Sequence, residues 1–111
     1  MASSSQTLSL EELLALSVEI AALARCGVPL EKGLIELGTD LPGKTARMAK
    51  QLGQDMQSGQ TLVHALQERG EFPPLYCAVV ESGVRTGQLP SALERLADEL
   101  SSSRVVWNEV V

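Results

Sequence analysis

Three glycines, Gly27, Gly59 and Gly87, each stand where one apolar helical stripe stops and another begins almost at once. "GVPLEKGL" and "GQTLVHAL" share the run Gly-x-[Pro/Thr]-Leu-x-x-[Gly/Ala]-Leu, and "GQLPSAL" is a shortened version. Glycine closes a helix in the left-handed conformation, and Pro29 suits the first turn of the helix after Gly27. Corners of this kind fold helix against antiparallel helix. They do not recur at a fixed period, so a solenoid is not expected.

The stripes between the corners are helical. Ser9 and Glu12 have the spacing of a capping box, which opens a helix. Leu10, Leu13, Leu14, Ser17, Ile20, Ala21 and Ala24 then follow the 3.6-residue repeat, and Leu16, Val18 and Leu23 widen the stripe. A stripe this wide predicts a central helix with neighbours on more than one side. Arg25 suits its negative end. Leu30, Leu34 and Leu37 mark a short second helix, after which Gly38, Pro42 and Gly43 are expected to break the chain. Met48, Leu52 and Met56 mark a third, in which Gly53 costs about 1 kcal/mol relative to Ala. A fourth runs from Thr61 to about Arg69, burying Leu62, Val63 and Leu66. After Phe72, Pro73 and Pro74 fit only a helix start, and Leu75, Val79 and Val80 make the face of the fifth. Leu93, Leu96, Ala97 and Leu100 mark the sixth.

No segment alternates with period two. The expectation is an all-α fold, a compact antiparallel bundle of about six helices. The 44% hydrophobic but only 3% aromatic content agrees with helices rather than sheet. At 111 residues the chain makes one domain. Residues 1–8 are expected to be a disordered N-terminal segment, 9–104 the helical domain, and 105–111 a separate C-terminal stretch.

Several functions are argued against. The net charge is −5 and the basic residues are scattered, so no nucleic acid is expected as a partner. Cys26 and Cys77 are expected to be small buried hydrophobes, not a disulfide framework or a zinc site. "MASSSQTLS" lacks the features of a signal peptide, and no apolar run is long enough to span a membrane, so the chain is expected to be soluble by itself. Gly83 and Gly87 are one residue too close for a Walker loop, Gln88 stands in place of its Lys, and no strand precedes them. His64 is the single histidine and has no nucleophile or metal partner in pattern. No catalytic residue and no cofactor are expected. Glu94 and Asp98, four apart with Glu99 beside them, read as a solvated acidic face. They would hold a divalent cation at an interface only if another helix supplied oxygens. Val105, Val106, Trp107, Val110 and Val111 read either as a frayed last turn or as the approach to something apolar.

"ARCGVPLEKGLIEL" and "SGQTLVHALQERGEFPPLYCAVVESGVRTGQLPSALERLADEL" together resemble the cytoplasmic domain of the type II secretion system F proteins. These are the platform proteins shared with type IV pilus assembly. The resemblance covers roughly residues 8 to 104. It rests on Gly27-Val28-Pro29-Leu30, Gly59-x-Thr61-Leu62, Phe72-Pro73, and Gly83-x-x-x-Gly87-x-Leu89. At Val84 the chain departs from the family, which usually carries an acidic residue there.

The resemblance implies a non-enzymatic scaffold at the cytoplasmic face of the bacterial inner membrane. Flanking transmembrane helices would tether it, and Val105–Val111 would lead toward one of them. It implies contact with the hexameric assembly ATPase and with inner-membrane scaffold proteins, allows a homodimer, and carries over no catalytic residue. The alternative reading is a generic soluble helical protein-interaction module.

Overall fold

The computed structural model describes residues 8–40 and 43–102. They form α1 (Leu10–Cys26), α2 (Leu30–Asp40), α3 (Gly43–Gln57), α4 (Leu62–Arg69), α5 (Pro74–Thr86) and α6 (Leu89–Ser102). No strand occurs among the described residues. Pro42 and the stretch from Val105 to Val111 lie outside them, as do the first seven residues of the N-terminal segment. Leu8, the last residue of that segment, is buried in the core.

α1 opens on the capping box. Ser9 Oγ accepts from the Glu12 N–H at 3.1 Å, and the Glu12 carboxylate accepts from the Ser9 N–H at 2.8 Å. Two backbone donors that a helix start leaves unpaired are thereby satisfied. Thr61 caps α4 in the same sense, accepting from the His64 N–H.

The three glycine corners share one hydrogen-bond pattern. Val28 N–H donates to Leu23 O and Gly27 N–H to Ala24 O. Gln60 donates to Asp55 and Gly59 to Met56 at the second corner, and Gln88 to Gly83 and Gly87 to Val84 at the third. This is the Schellman closure. The glycines hold φ of 76°, 112° and 73°, a region costly for other residues. The sequence echo is therefore one backbone device used three times.

The corners reverse the chain, and α2–α3, α5–α6 and α1–α6 pack as neighbours. α1 also touches α2 and α3, which makes it the central helix. Leu16, Ile20, Leu34, Leu52, Leu66, Val80 and Leu93 are fully buried. Each such side chain contributes on the order of 2 kcal/mol by leaving water.

The structure corrects four sequence expectations. Gly38 does not break the chain, because α2 runs through it to Asp40. A Cβ there would lie 3.0 Å from Lys50 Cβ of α3, so this glycine lets the two helices close. Gly53 has the same role and is more tightly held. Its Cβ would lie 2.8 Å from the Glu31 carbonyl oxygen and 2.7 Å from Ile35 Cγ1. The propensity cost of Gly53 is thus offset by close packing. Val18 and Leu75 point outward, 55% and 63% exposed. α5 instead buries Tyr76, Cys77, Val80 and Gly83. Finally, Cys77 is buried as expected, but Cys26, the last residue of α1, is exposed.

Candidate functional site

The sequence motifs gather mainly at corners. Gly27, Pro29 and Leu30 form the α1–α2 corner, where the Pro29 carbonyl accepts from the Gly33 N–H. Arg25, just before it, pairs with Glu94 of α6, so this corner lies beside the start of the last helix. Glu94, a candidate cation ligand, is therefore engaged by a guanidinium. Asp98 also has a partner. Among the described residues no three His, Cys, Asp or Glu side chains cluster as a metal site would require.

The Gly59 and Gly83 motifs are brought together. Gly59 turns the chain, Thr61 caps α4, and Leu62 is buried behind them. Across from them lies the α5–α6 corner. A Cβ on Gly83 would lie 2.9 Å from Leu89 Cα and 3.2 Å from Ala92 Cβ, so α6 can leave Gly87 and lie directly against α5. Between α4 and α5 is a shallow cleft of about 340 Å³ lined by Thr61, Val63, His64, Glu81, Val84 and Arg85. Val84, the departure from the family pattern, presents a half-exposed apolar side chain to it. His64 stands 3.9 Å from Glu68, and Arg85 3.8 Å from Glu81, each pair one helical turn apart. Both pairs are solvated, and the Arg85–Glu81 ion pair is worth a few tenths of a kcal/mol. The cleft offers a small apolar centre with charges of both signs around it. This is the make-up of a contact surface.

α4 is fixed to α3 by stronger electrostatics. The Arg69 guanidinium donates to both Asp55 carboxylate oxygens, at 2.9 to 3.1 Å, and to Gln51 Oε1 at 3.1 Å. These groups are largely buried, and the forked geometry matches the carboxylate. That clamp sets the position of the cleft's α4 wall.

At the opposite end of α5 lies a larger feature that the sequence reading missed. A groove of about 470 Å³ runs between the start of α1, the start of α5 and the end of α6. Leu10, Leu13, Phe72, Leu75, Leu96 and Leu100 line it. Phe72 and Pro73 lead into α5 here, and the Phe72 ring stacks on Tyr76 with centroids 5.5 Å apart. The signal in the sequence was the doubled proline. It forces a helix to start beside Phe72, so Leu75 falls on the rim.

Tyr76 passes from this groove into the core. Ser17 Oγ lies 2.7 Å from the Leu13 carbonyl and 2.9 Å from the Tyr76 hydroxyl. The carbonyl can only accept, so Ser17 donates to it and the Tyr76 hydroxyl donates to Ser17. Burial pushes the phenol up to about 12. Burial also pushes the Cys77 thiol up. Neither group is poised to ionise near neutrality, as a catalytic acid or nucleophile would need to be. Ser17, read as a polar member of an apolar stripe, was the only sequence sign that a buried polar partner lay opposite.

Residues 17–110 match the family described as type II secretion system (T2SS), protein F. A type 4 fimbrial assembly protein PilC of Pseudomonas putida is 37% identical over 86 residues, 76% of this chain and 21% of its own length. A type II secretion system protein F of Xanthomonas campestris is 33% identical over 96 residues, 84% of this chain and 24% of its own length. A protein transport protein HofC homolog of Escherichia coli is 31% identical over 94 residues, 83% and 24% respectively. The chain thus spans about a quarter of the length of these relatives. Its all-α bundle, the three glycine corners and the match over residues 17–110 agree: the chain belongs to the protein F family of type II secretion systems.

Proposed function

We propose that this chain is a scaffold domain of an inner-membrane platform protein, working at the cytoplasmic face by helix-surface contacts and without catalysis of its own. Its partners on this reading are the assembly ATPase and other inner-membrane components of the same secretion or pilus system. The observation that carries the proposal is the family match over residues 17–110, with relatives named for type II secretion and for pilus assembly. Among the described residues no helix is long and apolar enough to cross a membrane. On this reading, membrane attachment comes from helices flanking the bundle.

The α4–α5 cleft is the contact face we assign. It joins two of the sequence motifs, and it sets the exposed Val84 beside the partly buried Val63, between His64, Glu81 and Arg85. Such a surface buries a small apolar centre on contact, with charges at the rim setting register. The immobilised chain should retain the ATPase of its own system from purified solution. Val84→Lys should reduce that retention several-fold while leaving helicity unchanged, since a cation suits the last turn of α5. If wild-type chain retains no ATPase, the partner assignment fails. If Val84→Lys binds as well as wild type, the assigned face fails.

A further inference from the structure

We propose that the outward face of α3, carrying Lys44, Arg47 and Lys50, is a docking surface for the anionic headgroups of a lipid bilayer. The proposal rests on the platform reading above, which brings lipid within reach of the bundle, but its test needs no ATPase. Three observations carry it.

The first is charge. The protein carries a net charge of −5, yet α3 gathers three of its nine basic residues between Lys44 and Lys50. Of the six helices, α3 alone has more basic than acidic residues. Its single carboxylate, Asp55, is held by the Arg69 guanidinium at 2.9 Å. Arg47 and Lys50 are exposed and make no ion pair among the described residues. Their charges are therefore available to a partner outside the fold.

The second is placement. The exposed positions of α3 are Gly43, Arg47, Lys50, Gln54 and Gln57. They recur every three or four residues, so they form one stripe along the helix, which a flat surface can meet along its length. α3 touches α1, α2 and α4 but not α6, so Glu94, Asp98 and Glu99 belong to another side of the bundle. α2 packs alongside with Glu31, Lys32 and Glu36 and bounds the cationic surface there. At 0.1 M salt the Debye length is about 10 Å, so a surface laid against α3 responds mainly to charges within one helix spacing.

The third is what the stripe lacks. The large exposed hydrophobics are Val18, Val28, Leu75 and Val84, and none lies on α3. A protein partner buries an apolar centre and leaves charge to the rim, as the α4–α5 cleft would allow. The α3 stripe has cations and side-chain amides but no such centre. Lipid phosphates need only these: cations to pair with, and amide N–H groups that donate. Each Lys or Arg near an anionic leaflet raises partition roughly fivefold.

The 111-residue protein should co-sediment with phosphatidylglycerol vesicles at millimolar lipid and about 0.1 M salt. Its partition onto phosphatidylcholine vesicles should be several-fold lower. Arg47→Gln and Lys50→Gln should each lower the phosphatidylglycerol partition roughly fivefold. Both should keep wild-type helicity, since the positions are exposed and Gln is a good helix former. Arg95→Gln removes the same charge from an exposed site on α6 and should leave partition unchanged. Equal partition onto the two lipids overturns the proposal. So does a loss in Arg95→Gln that matches Arg47→Gln, because the lipid would then read the charge of the whole molecule. If the α3 variants bind lipid like wild type but lose ATPase retention, the face serves an acidic protein surface, and the lipid assignment again fails. Absence of ATPase retention in the wild-type protein, with the lipid results as expected, would sink the partner assignment and leave this one standing.

Discussion

Where α2 meets α3, the chain removes side chains; where α1 faces α5, it inserts the bulkiest of its fully buried ones. Gly38 and Gly53 bring α2 and α3 together until backbone and Cβ atoms touch. Tyr76 spans the space between α5 and α1 and closes it with a hydrogen bond to Ser17. The first contact is steric: a clash breaks it and a change of pH leaves it alone. The second has a phenol at its centre and depends on that phenol keeping its proton. One small bundle thus holds two kinds of packing with different weaknesses.

Gly53→Val should test the steric side most severely. The new side chain would meet the Glu31 carbonyl and the Ile35 backbone, which cannot yield unless α2 moves. Urea unfolding should show a loss of about 3 kcal/mol or more, well beyond the ~1 kcal/mol that helix propensity could return.

Alkaline pH should test the polar side. Tyr76 titrates at about 12 in the fold, against 10.0 ordinarily. Its folded value is the raised one, so its contribution is complete below pH 10 and is lost as pH rises toward 12. A shift of that size corresponds to a loss on the order of 3 kcal/mol. Cys77, also raised, acts in the same direction. Tyr76 is the only tyrosine, so tyrosinate absorbance follows its titration without interference. The Gly53→Val variant should lose stability over the same pH range, since its defect lies elsewhere. A different range would mean that the two regions are coupled.

Tyr76→Phe at neutral pH should cost about 1 kcal/mol. Ser17 keeps its bond to the Leu13 carbonyl, so no buried donor is orphaned. The same variant should flatten most of the alkaline loss seen in urea titrations at successive pH values.

Gly33→Ala should have the smallest effect, within about 1 kcal/mol of zero. Its Cβ would first meet the Leu23 side chain, whose end can turn away, and the helix gains propensity. If calorimetry shows it as damaging as Gly53→Val, the contrast between yielding and unyielding neighbours is wrong.

Much of the architecture could be read from residues alone. The capping box at Ser9, the proline start of α5 and the glycine corners are local devices, complete within a few residues. What could not be read needed a second element. Gly38 and Gly53 look like interruptions until the facing helix is in place. Val18 and Leu75 lie at the edges of apolar stripes, and periodicity gives a stripe's direction but not how much of it a neighbour covers. The groove draws on α1, α5 and α6, which are far apart in sequence, so no local pattern announces it. The α4–α5 cleft was half legible: two motifs were visible, but their meeting was not.

The groove also shows that α1 begins where α6 ends, since Leu10 and Leu100 line the same hollow. The chain enters and leaves the bundle at one pole. Tension between entry and exit would therefore peel α1 from α6 turn by turn instead of shearing the pair along its length. The antiparallel α1–α6 contact acts as a zip with its open end at the pole. The Arg25–Glu94 pair sits at the far end and would be the last to part.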